Sequence, residues 1–115
     1  MLRQNRNHRI LKEIGYQREA VLEYAKRWAK GRNPRYLDFE HMGGDCTNFA
    51  SQCIYAGSGV MNYTPTMGWY YSSGSNRSPS WTGVVYLYNF LTGNKSAGPY
   101  GVETNEKGVE PGDIV

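Results

Sequence analysis

Apolar and polar residues recur with helical spacing in the first third of the chain. Between Glu19 and Lys30 one side is charged, and the other side carries apolar residues every three or four positions: Ala20, Val21, Tyr24, Ala25, Trp28 and Ala29. This pattern predicts an amphipathic helix. Gly31 ends it, and Asn33-Pro34 prevents its continuation.

A second predicted helix follows the loop of residues 32–44, which ends in Gly43-Gly44. Asp45 has the residue type of an N-cap, so the helix is expected to begin there, with Cys46 in its first turn. Its apolar face ends at the terminating Gly57 and comprises Phe49, Ala50, Cys53, Ile54 and Ala56.

The second half of the chain is less regular. Residues 58–80 are rich in Gly, Ser, Asn, Pro and aromatic side chains, and they predict a long loop that either binds ligands or covers the core. A third helix is predicted from Trp81 to Leu91 with Ser80 as its cap, although Gly83 interrupts it. Residues 109–115 predict a turn that leads into a strand.

Three apolar helix faces therefore meet almost no predicted strands that would cover them. Either the chain is a small helical domain, or it is the first half of a larger α+β domain. Uncovered apolar faces usually mark an interface or an incomplete fold, so we expect the chain as it stands to associate with another copy or to be poorly folded.

Composition narrows the class of protein. A chain of 115 residues is the size of one domain, and its net charge of +3 is too small for a dedicated nucleic-acid binder. The basic residues of the first twelve positions, with no acid among them, predict a solvated arm or a contact with an anionic cell-wall polymer. No apolar run is long enough to span a membrane or to form a signal region.

The two cysteines are predicted to be free thiols with different roles. On one helix, Cys46 and Cys53 would lie about 10 Å apart, which is too far for a disulfide. A helix N-terminus favours the thiolate of Cys46 and offers N–H groups to an oxyanion, whereas Cys53 is expected to be buried and inert. Free cysteines often only pack, and a nearby Asp45 carboxylate opposes ionisation unless it is turned away, so the chemistry alone leaves both readings open.

A longer motif favours catalysis. The string Gly43-Gly44-Asp45-Cys46-Thr47-Asn48-Phe49-Ala50-Ser51-Gln52 closely resembles the signature of the putative amidase domain family of Gram-positive bacteria, which is related to papain-like peptidoglycan hydrolases and CHAP amidases. The resemblance extends over most of residues 16–115 through Tyr24-Ala25, Trp28-Ala29, Asn33-Pro34, Tyr36, Ala56-Gly57, Met61, Ser80-Trp81 and Pro111-Gly112-Asp113.

The resemblance implies an α+β, papain-like cysteine hydrolase fold, of which this chain holds mostly the helical N-terminal half, with the catalytic β-sheet largely missing. Cys46 is then the nucleophile, and its helix packs on an antiparallel sheet that carries a histidine base and later a polar orienting residue. Pro111-Gly112-Asp113 opens the first strand of that sheet, so the histidine position falls beyond Val115. Neither His8 nor His41 fits it. The division expected is a basic arm at 1–15 and an incomplete amidase domain at 16–115.

The activity implied is hydrolysis of an amide bond in a peptide or in peptidoglycan, at the cell wall or outside the cell, without a cofactor or metal. Cys46 is the predicted catalytic residue, with supporting roles for Asp45, Asn48, Gln52 and Tyr36. The predicted substrate contacts are Trp69, Tyr70 and Tyr71. Two alternatives stay open: a non-catalytic module that binds cell-wall glycan or peptide through the arm and the aromatic loop, and an inactive fragment.

Overall fold

The elements of the chain are helices and short antiparallel strands. The structure is a computed structural model that describes residues 2–6 and 12–102. Its elements are, in chain order, β1 (Leu2–Arg6), β2 (Lys12–Ile14), α1 (Arg18–Trp28), α2 (Asp45–Ser58), β3 (Tyr71–Ser73), β4 (Asn76–Arg77), α3 (Pro79–Thr82), α4 (Val84–Gly93) and β5 (Gly98–Gly101). The α+β class is confirmed.

The first two helices form where the periodicity predicts them, and they pack against each other. Gly57 makes this close packing possible, because a Cβ atom at that position would collide with the side chains of Val21 and Tyr16. α2 ends at Gly59, whose φ of 69° is left-handed and whose N–H donates to the Tyr55 carbonyl at 2.8 Å.

The third predicted helix is divided into α3 and α4. Gly83 separates them with extended backbone angles, φ −112° and ψ 118°. Ser80 is not a cap as predicted: Ser78 occupies the N-cap position of α3, and the Ser80 hydroxyl donates to the Gly68 carbonyl at 2.7 Å. The prediction was wrong because a buried backbone acceptor outside the helix binds this hydroxyl.

The predicted loop of residues 58–80 contains two small antiparallel pairings. Asn62 and Trp69 exchange backbone hydrogen bonds of 2.8 Å in each direction, and β3 pairs with β4. Asn62 also donates its amide to the Ala97 carbonyl at 2.9 Å, which attaches this segment to the chain just before β5. The loop is therefore a folded layer rather than an irregular excursion.

A three-stranded antiparallel sheet of order β2-β1-β5 lies within the described residues. Leu2 pairs with Gly101 and Asn5 pairs with Gly98, while Gln4 pairs with Ile14 on the other edge. Strand β5 contacts both α4 and α2. Within the predicted basic arm, residues 2–6 and 12–14 pair in this sheet. The strand predicted at 109–115, together with His8, lies outside the described residues.

Aromatic side chains fill the core beneath the folded layer. The rings of Trp69 and Trp81 lie 4.8 Å apart, Phe90 stacks on Trp69 at 6.2 Å, and Tyr36 stacks on Trp81 at 5.9 Å. The buried apolar cluster consists of Ile54, Trp69, Trp81, Leu87, Phe90 and Leu91. Of the two predicted roles for residues 58–80, covering the core is the one that the packing shows.

One side of α4 is exposed, with Val84, Val85, Tyr86 and Tyr88 open to solvent. Self-association through such faces stays a prediction. Among the helices of the described segments, none has the length and apolar character needed to cross a membrane.

Candidate active site

The first turn of α2 is set by two glycines with left-handed backbone. Gly43 has φ 77° and Gly44 has φ 88°, a region that side chains with a Cβ atom rarely adopt. Gly44, and not Asp45, is the N-cap, so the predicted cap is displaced by one residue. The position of Cys46 in the first turn is confirmed. The Asn48 N–H donates to the Gly44 carbonyl at 2.8 Å, and the N–H groups of residues 45–47 precede that first helical bond.

The carboxylate of Asp45 does not cap the helix because the preceding loop engages it. Arg32 donates to both of its oxygens, at 2.9 and 3.0 Å, and the Phe39 N–H lies 3.3 Å from one of them. The hydrogen bond from Arg32 is the largest of the influences that lower the pKa of Asp45 below its usual value. Asp45 therefore stays ionised while it fastens the loop to the start of α2.

Arg32 gathers two further acids from the same loop. Its Nε lies 3.1 Å from the Asp38 carboxylate, and its second terminal nitrogen lies 3.1 Å from the Glu40 carboxylate. A single guanidinium thus contacts three carboxylates, those of Asp38, Glu40 and Asp45. Arg32 was not among the residues predicted from the sequence. The signal that could have identified it is its positive charge, followed in the same loop by acidic residues.

Cys46 is exposed at the bottom of an open groove. The groove has walls from two distant parts of the chain, the loop before α2 and the junction of α3 with α4. Its lining consists of Arg32, Glu40, Gly43, Gly44, Asp45, Cys46, Thr47, Thr82 and Val84. Cys46 is therefore accessible to a ligand that enters the groove.

The predicted supporting residues lie mainly around a different depression. A cavity of about 400 Å³ between α1, the loop and α2 is lined by Tyr36, Asp45, Asn48 and Gln52, but Cys46 is not part of its lining. Positions 45, 48 and 52 share one helix face, whereas position 46 lies on the adjacent one. Arg32 and Asp45 line both the cavity and the groove, so their ion pair stands between them.

Two of the supporting residues hold the walls of this cavity together. Asn48 donates to the Leu37 carbonyl at 3.2 Å and accepts from the Trp81 indole at 3.1 Å. Gln52 accepts from the Tyr24 hydroxyl, which in turn accepts from the Asn33 amide at 3.2 Å. These contacts tie the loop and α1 to α2.

Tyr36 is half-buried, and burial is the main reason why its pKa rises to about 12. Its hydroxyl is therefore neutral at physiological pH and can donate a hydrogen bond, but cannot act as a base. Tyr36 packs against Tyr71 with ring centroids 5.0 Å apart.

The three predicted substrate contacts differ in position. Trp69 is fully buried, and its indole N–H donates to the Ser51 hydroxyl at 3.1 Å, so its position does not support contact with substrate. Tyr71 accepts a hydrogen bond of 2.8 Å from the Leu37 N–H and thereby lies behind the cavity wall. Tyr70 stacks at 5.8 Å on the exposed ring of Tyr63. None of the three lines the Cys46 groove.

Cys53 is buried as predicted, and burial raises the pKa of its thiol to about 11. His41 is exposed in the loop and does not line the groove of Cys46. Over the described residues, no group of three or more His, Cys, Asp or Glu side chains is arranged to hold a metal ion.

A comparison with known protein families supplies the remaining evidence. The family model described as the putative amidase domain matches residues 15–115. The chain belongs to the putative amidase domain family. The chain is also 34% identical over 103 residues to the uncharacterized protein YhbB of Bacillus subtilis (strain 168). That match covers 87% of this chain and 32% of YhbB, so the chain spans about a third of its relative's length. No solved structure matches this putative amidase domain.

Proposed function

We propose that this domain is a cysteine-dependent amide hydrolase in which Cys46 is the nucleophile. The observation that carries the proposal is the exposed Cys46 in the first turn of α2, at the bottom of a groove, within a chain of the putative amidase domain family. A thiolate at this position benefits from the partial positive charge of the helix N-terminus.

The reaction proceeds in two steps. The Cys46 thiolate attacks the carbonyl carbon of the amide, and the carbon–nitrogen bond breaks as the amine leaves with a proton from the protonated general base. Water, giving one proton back to that base, then attacks the thioester, which releases the carboxylic acid and restores the thiolate. The N–H groups of residues 45–47, which precede the first helical hydrogen bond of α2, are the donors proposed to stabilise the oxyanion of each tetrahedral intermediate.

The general base is the part of the mechanism that rests on resemblance. In papain-like hydrolases it is a histidine that follows the nucleophile in the chain and lies on a strand of an antiparallel sheet. His41 precedes Cys46 and does not line the groove. The packing of α2 against strand β5 agrees with the proposed papain-like arrangement of a nucleophile helix against a sheet.

The proposed substrate is a peptide, or the peptide stem of peptidoglycan. The groove is open along its length and has a polar wall with an ion pair, which suits an extended chain rich in amides. A non-catalytic glycan-binding module would instead need exposed aromatic faces. The burial of Trp69 and Trp81 removes these two indole rings from the surface, and none of the exposed rings of Tyr63, Tyr86 and Tyr88 lines the Cys46 groove.

The test separates acylation from complete turnover. After incubation with p-nitrophenyl acetate, intact-mass measurement and peptide mapping are expected to place one acetyl group on Cys46. The acetyl group should be lost in Cys46→Ala and kept in the matched variant Cys53→Ala. Purified peptidoglycan peptides are then incubated with the protein, and new amino and carboxyl termini are sought by mass spectrometry. Acylation that persists in Cys46→Ala would contradict the proposal.

A further inference from the structure

Three acidic side chains converge where α2 begins. Asp45 adjoins Cys46 in the chain and lines the same groove, as does Glu40, while Asp38 reaches the cluster from the loop. Negative charge beside a thiol disfavours its ionisation. Left without a cation, these carboxylates would oppose the effect of the helix N-terminus on the Cys46 thiolate.

Arg32 is the cation placed among them. Its guanidinium holds Asp45 through two parallel hydrogen bonds, and it contacts Asp38 and Glu40 at 3.1 Å each. The planar fork of arginine fits such a bidentate pair, and it stays charged at every relevant pH. Arg32 is the first residue of the loop of residues 32–44, and Asp45 directly follows its last residue. The same contacts therefore also close that loop beside the Cys46 groove.

We propose that Arg32 is a positioning residue that favours the reactive thiolate form of Cys46. It acts by fixing the Asp45 carboxylate in an ion pair and by offsetting part of the negative charge of the three neighbouring carboxylates. The use of that charged sulfur in hydrolysis rests on the function proposed above.

Four charged residues at or next to the groove could influence the ionisation of Cys46. Arg32, Glu40 and Asp45 line it, and Asp38 contacts Arg32. The opposite wall, from α3 and α4, contributes Thr82 and Val84, which do not titrate. A change in the ionisation of Cys46 after substitution of Arg32 is therefore expected to come from the three carboxylates.

The experiment measures the rate of iodoacetamide alkylation of Cys46 against pH, in a Cys53→Ala background. In Arg32→Gln, the midpoint of the profile is expected to move to higher pH, and the rate at neutral pH to fall about 3- to 10-fold. Arg32→Lys keeps the positive charge but not the planar fork of arginine. Its alkylation rate should therefore lie between the rates of the parent protein and of Arg32→Gln. Arg35→Gln, which removes an exposed arginine of the same loop, is the matched control and should leave the profile unchanged.

A second substitution distinguishes charge from structure. Adding Asp45→Asn to Arg32→Gln removes one unpaired carboxylate and is expected to recover part of the rate, whereas a purely structural role would give no recovery. Asp45→Asn alone should raise the rate at neutral pH, which tests the proposal even if Arg32→Gln fails to fold. An unchanged midpoint in folded Arg32→Gln would overturn the proposal.

Alkylation does not depend on hydrolysis, so the two proposals fail in different ways. If Cys46 is not a hydrolytic nucleophile, acylation and peptide cleavage will be missing while the alkylation profiles still shift. If Arg32 has no influence on the sulfur, the profiles will coincide whether or not the protein cleaves peptides.

Discussion

Gly44 lies directly against the backbone of Thr82: a Cβ atom at Gly44 would lie 2.5 Å from the Thr82 carbonyl oxygen and 3.1 Å from its Cβ atom. The first turn of α2 is thus fitted against the end of α3, and both contribute to the lining of the Cys46 groove. The two residues are far apart in the chain, so this contact depends on the tertiary fold.

Gly44→Ala is expected to lower the free energy of unfolding by about 2 to 4 kcal/mol, because it adds a collision with Thr82 to the strain of a left-handed residue. Gly43→Ala is the matched control: Gly43 is also left-handed, but a Cβ atom there would meet nothing within 4 Å. Its cost should be about 1 kcal/mol. Urea unfolding of both variants measures the difference, and equal losses would mean that the Thr82 contact has no energetic weight.

The hydroxyl of Ser51 joins the two buried tryptophans. It donates to the Trp81 carbonyl at 3.0 Å and accepts from the Trp69 indole at 3.1 Å, with Ser51 fully buried. Ser51→Ala is expected to destabilise the fold by about 1 to 3 kcal/mol, because it leaves a buried donor and a buried acceptor unpaired. Thermal unfolding should show no such loss for Ser72→Ala, which alters an exposed serine. A stable Ser51→Ala variant would indicate that water replaces the hydroxyl.

The two cysteines should differ in reactivity. Cys46 is exposed, whereas Cys53 is buried and burial raises the pKa of its thiol to about 11. In the folded protein at neutral pH, iodoacetamide is expected to modify Cys46 at least about tenfold faster than Cys53. Peptide mapping at timed intervals gives both rates, and a denatured sample provides the control in which they converge. Equal rates in the folded state would contradict the assignment of roles.

The ion pair of Asp45 predicts a particular dependence of stability on pH. The pKa of Asp45 is lowered in the folded state. The contribution of its carboxylate to the free energy of unfolding is therefore fully present above the pKa that Asp45 has in the unfolded chain, and it is lost as the pH falls through the pKa of the folded state. Asp45→Asn should therefore be less stable than the parent near pH 6, by less than about 1 kcal/mol because the pair is open to water. Chemical unfolding at several pH values should show the difference shrinking below about pH 4. A difference that grows in acid would reverse the sign and refute the assignment.

Gly57 tests the packing of α1 on α2. An alanine within a helix usually stabilises it by about 0.5 to 1 kcal/mol relative to glycine. At Gly57 the added methyl group meets Val21 and Tyr16, so a net loss of about 1 to 2 kcal/mol is expected from overpacking. Gly93→Ala, at the end of α4 with nothing within 4 Å, should be neutral or stabilising. Thermal unfolding compares the two, and a stabilised Gly57→Ala would show that the helices can separate freely.

The sequence predicted what depends on neighbours along the chain. α1 and α2 were found because their apolar residues repeat at helical spacing, and the place of Cys46 followed from the glycine pair before it. The β2-β1-β5 sheet was missed because β1 is a polar segment whose partner β5 follows α4, so no local pattern indicates the pairing. The division at Gly83 was missed because the apolar spacing continues across it.

The candidate site was predicted only in part, for reasons of geometry. The motif shows which residues are present but not which of them share a site. Cys46 lies on one face of α2, whereas Asn48 and Gln52 lie on the adjacent face and line a different cavity. Trp69 was predicted to contact substrate because it lies in a long, aromatic-rich loop, yet Ser51 supplies the hydrogen bond that allows its indole to be buried. Arg32 escaped notice because its role depends on three acids that the folded loop brings together.

The residues that line the groove are added to the chain at different times during synthesis. Its floor is complete once residue 47 has been made, but its second wall, Thr82 and Val84, is added only after some 35 further residues leave the ribosome. During synthesis the Cys46 thiol therefore exists before the wall that Thr82 and Val84 form. Enclosure of the thiol by a groove depends on residues that are added to the chain later.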